Sequence, residues 1–315
     1  MSPAREAVIA PTRRSPVNPG PLVLRTGHRT FELGPRPLLM GIVNASPDSF
    51  SDDGSVTTHD QRIRLAAELI AAGADIIDVG GESARTGLAP VPPEQEIERT
   101  LPLVHAIAHE LGATVSIDTY KPAVAAAALD AGASIVNDVS GLRDPAIAEL
   151  CARTGAALVL MHTRARPKQR LQDPELYDDV VADTLDFLRT RIERSLQAGM
   201  SFEQLLLDPG PDFAKTPAQT IALLASLERL HELERPLLLA ISRKDFIGAL
   251  TARRPRERLA GTLAALAHGL DQGAQVFRLH DIAPAADFIR VRMALRGQLD
   301  AGRDLQLAEE LRSER

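Results

Sequence analysis

Eight short apolar runs in this chain each finish on residues that can do chemistry: Asn44; Glu82 with Ser83 and Arg85; Asp118; Asn137 and Asp138; His162; Asp208; Ser242, Arg243 and Lys244; and Arg278 with His280. They fall into two chemical sets. Asp118, Asn137 and Asp208, with Lys244 nearby in the order, are acids and an amide. A carboxylate accepts two parallel N–H bonds from an amidine-like ring edge, and an Asn offers donor and acceptor together. That set suits a buried heterocycle of guanine or pterin type. Arg85, Arg278 and His280, with Asn44, form a cationic set. The planar fork of Arg and the ring N–H of His suit phosphate or pyrophosphate oxygens. A heterocycle pocket beside an anion pocket points to a pterin or purine carrying a phosphate leaving group.

Each residue also has a plainer reading. Asp or Asn after a strand serves as a helix N-cap or turn former. A lone His such as His162 is more often a satisfied core or loop histidine. Arg243 reads equally as an outward ion pair on the helical side. Caps do not account for Lys244, Arg278 and His280. A buried polar group without a partner costs about 1–3 kcal/mol, so polar residues at all eight ends imply convergence on water or a ligand. Metal ligation by His and Asp, as in a metal aldolase, is the weaker alternative, because no close His pair lies at the strand ends.

The elements that must position these residues are legible as periodicity. The runs are "LLMGIVN" (38–44), "DIIDVGG" (75–81), "TVSIDTY" (114–120), "SIVNDVSG" (134–141), "AALVLMH" (156–162), "LLLDPG" (205–210), "PLLLAISRK" (236–244) and "QVFRLHD" (275–281). Each is continuous rather than alternating, as strands of a parallel sheet covered on both faces are. Between them lie Ala/Leu/Glu/Arg-rich stretches with helical spacing, some ending in "AAGAD" or "DAGAS" with Gly just past the last turn. Eight strand–helix units in series predict an α/β fold, a (β/α)8 TIM barrel, whose sites are built at the carboxyl ends of its strands. "LVLRTGHRTFEL" (22–33) predicts a preceding N-terminal hairpin, turning at Thr26-Gly27 and closing the barrel's bottom. The expected organisation is a disordered arm over 1–21, which holds five prolines, one barrel domain over 22–300, and a polar tail over 301–315 that is a helical extension or frayed.

Bulk composition excludes several classes. The 315 residues carry a net charge of −6, which opposes a general nucleic-acid surface. The single cysteine, Cys151, rules out an internal disulfide and a Cys-cluster metal site, as suits a reducing cytoplasmic compartment. No apolar run approaches the roughly 18–20 residues that span a bilayer, so no membrane partner is expected.

Taken together, "MGIVNASPDSFSDDG", "GGESARTG", "SIDTYKP", "NDVSG", "LLDPGPDFAK", "SRKDFIG", "RLAGTLAA" and "FRLHD" resemble, in order, the dihydropteroate synthase family of pterin-binding barrels. The resemblance covers residues 37 to about 290. It implies a transferase that joins 6-hydroxymethyl-dihydropterin pyrophosphate to p-aminobenzoate, releasing pyrophosphate and forming the folate precursor dihydropteroate. It also implies a homodimer. Carried over residue by residue, Asp118, Asn137, Asp208 and Lys244 match the family's pterin pocket. Asn44, Arg85, Arg278 and His280 match the pyrophosphate site, with Mg²⁺ near Asn44. Phe50, Phe213, Lys244 and Ser242 match positions around the aminobenzoate. Phe50 and Asp52 ride on the polar loop after the first run. Asp52 would face the cation left when pyrophosphate departs, with Arg85 and Lys244 completing the catalytic set.

Three stretches depart from the family pattern. Glu-Ser-Thr-Arg-Pro-Gly is here Glu82-Ser83-Ala84-Arg85-Thr86-Gly87, so a hydroxyl is lost and a proline is missing. Ala45-Ser46 replaces the family's frequent β-branched residue and Thr. "DPG-x-G-F-G-K" is "DPGPDFAK", and Asp212 adds a negative charge where a carboxylated acceptor should approach. Because the departures fall on the acceptor side, two alternatives stay open. One is a paralogue that binds the pterin with an altered or absent aminobenzoate reaction. The other is a methyltetrahydrofolate-binding methyltransferase, which would have no need of the anion site.

Overall fold

The computed structural model describes residues 22–46, 58–83 and 86–312. Strands β1 (Leu22–Thr26) and β2 (Arg29–Leu33) open it as an antiparallel hairpin. Thr26 pairs with Arg29, so the turn is Gly27-His28, one residue beyond the expected Thr26-Gly27. Gly27 takes a φ of 58°, left-handed backbone that glycine adopts without a Cβ penalty.

Eight parallel strands follow: β3 (Leu38–Asn44), β4 (Ile76–Gly80), β5 (Thr114–Asp118), β6 (Ile135–Asp138), β7 (Ala157–Met161), β8 (Leu205–Asp208), β9 (Leu238–Leu239) and β10 (Val276–Leu279). Between and after them come helices α1 (His59–Ala71), α2 (Pro93–His105), α3 (Pro122–Asp130), α4 (Ala146–Thr154), α5 (Val180–Gln197), α6 (Pro217–Leu224), α7 (Asp245–Thr251), α8 (Leu259–Asp271) and α9 (Ile282–Leu295). The strand order is β8-β7-β6-β5-β4-β3-β10-β9. A parallel bridge from Leu207 to Leu237 joins the two ends and closes the (β/α)8 barrel.

Strand side chains alternate between faces, and the two faces belong to two cores. Inside the barrel, Leu38, Met40, Ile76, Ile135, Ala157, Val159, Leu206, Leu238 and Val276 pack with Leu24, Phe31 and Leu33 of the hairpin. The hairpin therefore fills the barrel's amino end, as expected. The alternate strand residues, such as Ile77, Val79, Val115 and Phe277, pack outward against the helices. Counting on by twos from the inner set leads to Asn44, Asp78, Gly80, Asn137, Asp208 and Arg278, so register alone aims these residues into the mouth. Asn44, Gly80, Asp118 and Asn137 stand side by side across β3 to β6. Beyond α9 the chain is exposed up to residue 312, with one short 3₁₀ turn at Glu309–Leu311 and no helical extension.

Candidate active site

Arg278 is the hub of the mouth. It rises from β10 and reaches across the lumen to two carboxylates, Nε donating to Asp78 Oδ2 at 2.6 Å and Nη2 to Asp118 Oδ2 at 2.8 Å. Asn137 Nδ2 donates to the same Asp78 oxygen at 3.2 Å. Three predicted residues, Asp118, Asn137 and Arg278, are thus tied into one network by a fourth, Asp78, which is fully buried. The heterocycle set and the anion set meet at this guanidinium rather than lying apart. Burial pushes the Asp118 carboxyl up to about 7 against the pull of Arg278, with Asp78 adding to the rise.

Asp208 lies at the end of β8, where its Oδ1 accepts the Gly210 backbone N–H at 2.7 Å. Burial raises it to about 6, opposed by that hydrogen bond and by Lys244, Lys215 and Arg278. Lys244 stands at the N-cap of α7 with its ammonium 4.4 Å from the centre of the Phe213 ring. Desolvation lowers the Lys244 pKa. A cation over an aromatic face keeps part of its stabilisation without a carboxylate partner. Ser242 Oγ accepts the His280 backbone N–H at 3.1 Å and lies 2.9 Å from His280 Nδ1. The contact ties Nδ1 to the hydroxyl, and the ring tautomer decides which of the two donates. Burial, with Arg243, Arg278 and Lys244 nearby, drives the His280 pKa down to about 3, so the ring is neutral.

Other strand-end residues have partners within the fold. His162 is fully buried between Asp183 (2.9 Å) and the Thr184 hydroxyl (3.0 Å), and desolvation lowers it to about 4. Asp138 accepts the backbone N–H groups of Ser140 and Leu142, both at 2.8 Å, as a turn former. Arg243 pairs with Asp281 through two nitrogens, the ion-pair reading of this residue. Asn44 lends its backbone carbonyl to Arg62 Nε at 3.0 Å. Phe50, Asp52 and Arg85 lie outside the described residues.

Among the described residues no three His, Cys, Asp or Glu side chains gather as a metal cage. Mg²⁺ asks for less: it holds one or two protein oxygens and takes the rest from water and phosphate. The amide oxygen of Asn44, in the row with Asp118, fits that kind of donor set.

The family model of pterin binding enzymes matches residues 40–280. The dihydropteroate synthase of Escherichia coli (strain K12) is 42% identical over 255 residues, covering 81% of this chain and 90% of the relative. A solved Xanthomonas albilineans dihydropteroate synthase with 4-aminobenzoic acid superposes with a TM-score of 0.80 at 40% identity, covering 88% of this chain and 98% of that one. The chain belongs to the dihydropteroate synthase family. A second structure of the Xanthomonas albilineans enzyme, in complex with 7,8-dihydropteroate, aligns with a TM-score of 0.77 at 39% identity, covering 86% of this chain and 98% of that one.

Against the dihydropteroate synthase pattern, the β8–α6 loop keeps left-handed backbone at two positions that here carry no glycine. Asp212 and Ala214 take φ values of 65° and 53°. Asp212 has local compensation, since Oδ2 accepts the Asp245 N–H at 2.6 Å and Oδ1 the Thr220 hydroxyl at 3.2 Å. Its carboxylate thus caps the first turn of α7, a structural use beside the expected effect of its charge on a carboxylated acceptor. The loop is clamped from below by Lys215, fully buried, whose ammonium donates to the carbonyls of His162, Gly210 and Phe213. Neither Asp78 nor Lys215 stood out in the sequence. For Asp78 the signal was a charge at an inward position of "DIIDVGG"; for Lys215 there was none beyond the motif itself.

Proposed function

We propose that the chain condenses 6-hydroxymethyl-7,8-dihydropterin pyrophosphate with p-aminobenzoate, giving 7,8-dihydropteroate and pyrophosphate. The observation that carries the reading is the convergence of Asp118, Asn137, Asp208 and Lys244 with Arg278 and His280 at one barrel mouth, in a chain whose family membership is clear. Asp208 and Asp118 would accept the ring N–H groups of the pterin, and Asn137 would both donate and accept. Arg278, bound to Asp118, would join pterin recognition to the departing diphosphate. His280 is neutral, so its contribution to the anion is one directed N–H rather than a charge.

Breaking the C–O bond to pyrophosphate leaves a cationic methylene conjugated with the pterin. In this reading Asp52 faces that cation, while Arg85, Arg278 and His280 hold the anion in place. The aniline nitrogen of p-aminobenzoate is neutral at pH 7 and attacks the methylene, losing its proton to water, so no dedicated base is needed. Phe213 and Ser242 would flank the acceptor's approach, Ser242 through His280, and Phe50 would belong to the same acceptor side. Asn44 would hold Mg²⁺, which when bound neutralises charge on the diphosphate. A homodimer and cytoplasmic residence belong to the same reading. Exposed Leu250, Val291 and Leu295 on α7 and α9 support the dimer, and the lone buried Cys151 thiol suits a reducing compartment. Among the described residues no helix is long and apolar enough to cross a membrane.

The test is pyrophosphate release from the pterin pyrophosphate with Mg²⁺, with and without p-aminobenzoate. Acceptor-dependent release with dihydropteroate formed is expected. Pterin binding without acceptor-dependent release would instead favour an accessory pterin-binding paralogue.

A further inference from the structure

Lys215 is fully buried, and its ammonium donates to the carbonyls of His162 at 3.3 Å, Gly210 at 3.0 Å and Phe213 at 3.1 Å. An ammonium has three N–H donors and no acceptor, so none is left over for a ligand. Burial lowers the Lys215 pKa to about 7, with Asp208 and Asp183 opposing the fall, so the charge is present below that pH. Two of the three carbonyls belong to neighbours of the site. Gly210 gives its N–H to Asp208 Oδ1 at 2.7 Å and its carbonyl to Lys215, so one residue joins the candidate pterin carboxylate to the clamp. A Cβ at Gly210 would lie 2.1 Å from the His162 carbonyl oxygen, so the loop passes here only as glycine. Phe213 stands between Asp212 and Ala214, whose left-handed backbone is held at a cost and kept only where the surroundings over-determine it. Its ring is the face that lies 4.4 Å from the Lys244 ammonium.

We propose that Lys215 is a positioning residue for the acceptor side of the site: by holding the Phe213 carbonyl together with those of Gly210 and His162, it fixes the ring on which Lys244 rests. The inference deepens the proposed condensation and rests on the reading of Phe213 and Lys244 as flanking p-aminobenzoate. Asp208 is anchored independently, on β8 and by its own bond to Gly210, so losing the clamp frees Phe213 more than Asp208. A displacement of about 1 Å in such a group is enough to lose up to about 100-fold in rate.

The test uses K215M, which keeps the length and removes every donor, and K215R, which keeps the charge but moves the donors. Pyrophosphate release below pH 7, where the ammonium is charged, gives KM for each substrate, and calorimetry gives affinity for the bare hydroxymethyl pterin. K215M is expected to raise the KM for p-aminobenzoate about tenfold or more, while the KM for the pterin pyrophosphate and the bare-pterin affinity stay within about threefold. K215R should show the same selectivity at smaller size, and it carries the test if K215M does not fold. F213A removes the ring itself, so either Lys215 variant combined with it should add little further loss. Equal losses on both substrates, or full additivity with F213A, would make Lys215 merely structural and overturn the proposal. An F213A variant with an unchanged KM for p-aminobenzoate would overturn the reading of Phe213, and the positioning role with it. A wild-type chain that shows no acceptor-dependent release would overturn the proposed condensation itself, a result that no Lys215 variant imitates.

Discussion

The two halves of the barrel mouth are held by different means. Asp78, Asp118, Asn137 and Arg278 are borne on β4, β5, β6 and β10, and they fix one another through charge-assisted bonds of 2.6 to 3.2 Å. Strand register sets their spacing, so moving one of them means breaking a partner's bond. The β8–α6 loop, by contrast, is shaped by backbone contacts: Lys215 on three carbonyls, the Tyr177 hydroxyl on the Ala214 carbonyl at 3.0 Å, and Asp212 on the first turn of α7. Its side chains at 211, 212 and 214 differ from the family pattern, yet its backbone keeps left-handed turns. A site built from mutually paired side chains resists substitution, whereas one built on a clamped backbone tolerates new side chains.

The contrast is broken most sharply at Arg278. Arg278→Ala leaves Asp78 fully buried and Asp118 largely buried without their cation, and removing one partner of such a group costs about 3–5 kcal/mol. Denaturant unfolding should show a loss of that order, and calorimetry should show bare pterin and pyrophosphate ester both weakened, because Asp118 shifts with the arginine. Undiminished stability with normal binding of bare pterin would show that the four strand-borne residues do not act as one network.

Asp208 tests the same half one step lower in magnitude. Asp208→Asn exchanges an acceptor for a donor facing the ring N–H groups, and leaving such a group unsatisfied costs about 1–3 kcal/mol of pterin affinity. The wild-type chain should report the same group through pH. With the free carboxyl raised to about 6, and binding favouring the ionised form, ligand uptake releases a proton below that pH. The Asp208 share of pterin affinity should therefore fall by up to about tenfold per unit as pH drops below about 6 and level off above it, while the share of Asp118, raised to about 7, begins to fall at higher pH. The Asn variant should lose this slope while keeping whatever slope Asp118 contributes; an unchanged slope would move the titration to another residue.

The strand ends were legible because a parallel barrel leaves its polar residues at the carboxyl ends of continuous apolar runs, and Asp118, Asn137, Asp208 and Arg278 all follow that rule. Asp78 and Ser116 did not emerge, since the runs were taken whole. Their inward parity, two residues below Gly80 and Asp118, was available from the period of a strand. Both keep a buried polar atom without a protein partner, Asp78 Oδ1 and Ser116 Oγ, on directly paired residues of β4 and β5. Such a pair is the setting in which an internal water is found. Lys215 was not legible at all. Its partners are backbone carbonyls of its own loop and of the residue just past β7, and sequence spacing carries no trace of them.

Asp212 gives the smallest and most discriminating effect. From sequence its charge seemed set against a carboxylated acceptor, while the structure spends it on the N–H groups of Asp245 and Phe246. Asp212→Asn keeps an oxygen acceptor and a residue that tolerates left-handed backbone, but removes the charge. If the carboxylate serves only as a cap, stability should fall by no more than about 1 kcal/mol, and the KM for p-aminobenzoate should stay within about twofold. If the charge repels the acceptor, KM should drop clearly in the variant and the drop should shrink at high salt. The first result would confine the effect of this family departure to local folding. The second would make the loop side chain a determinant of acceptor affinity, despite its clamped backbone.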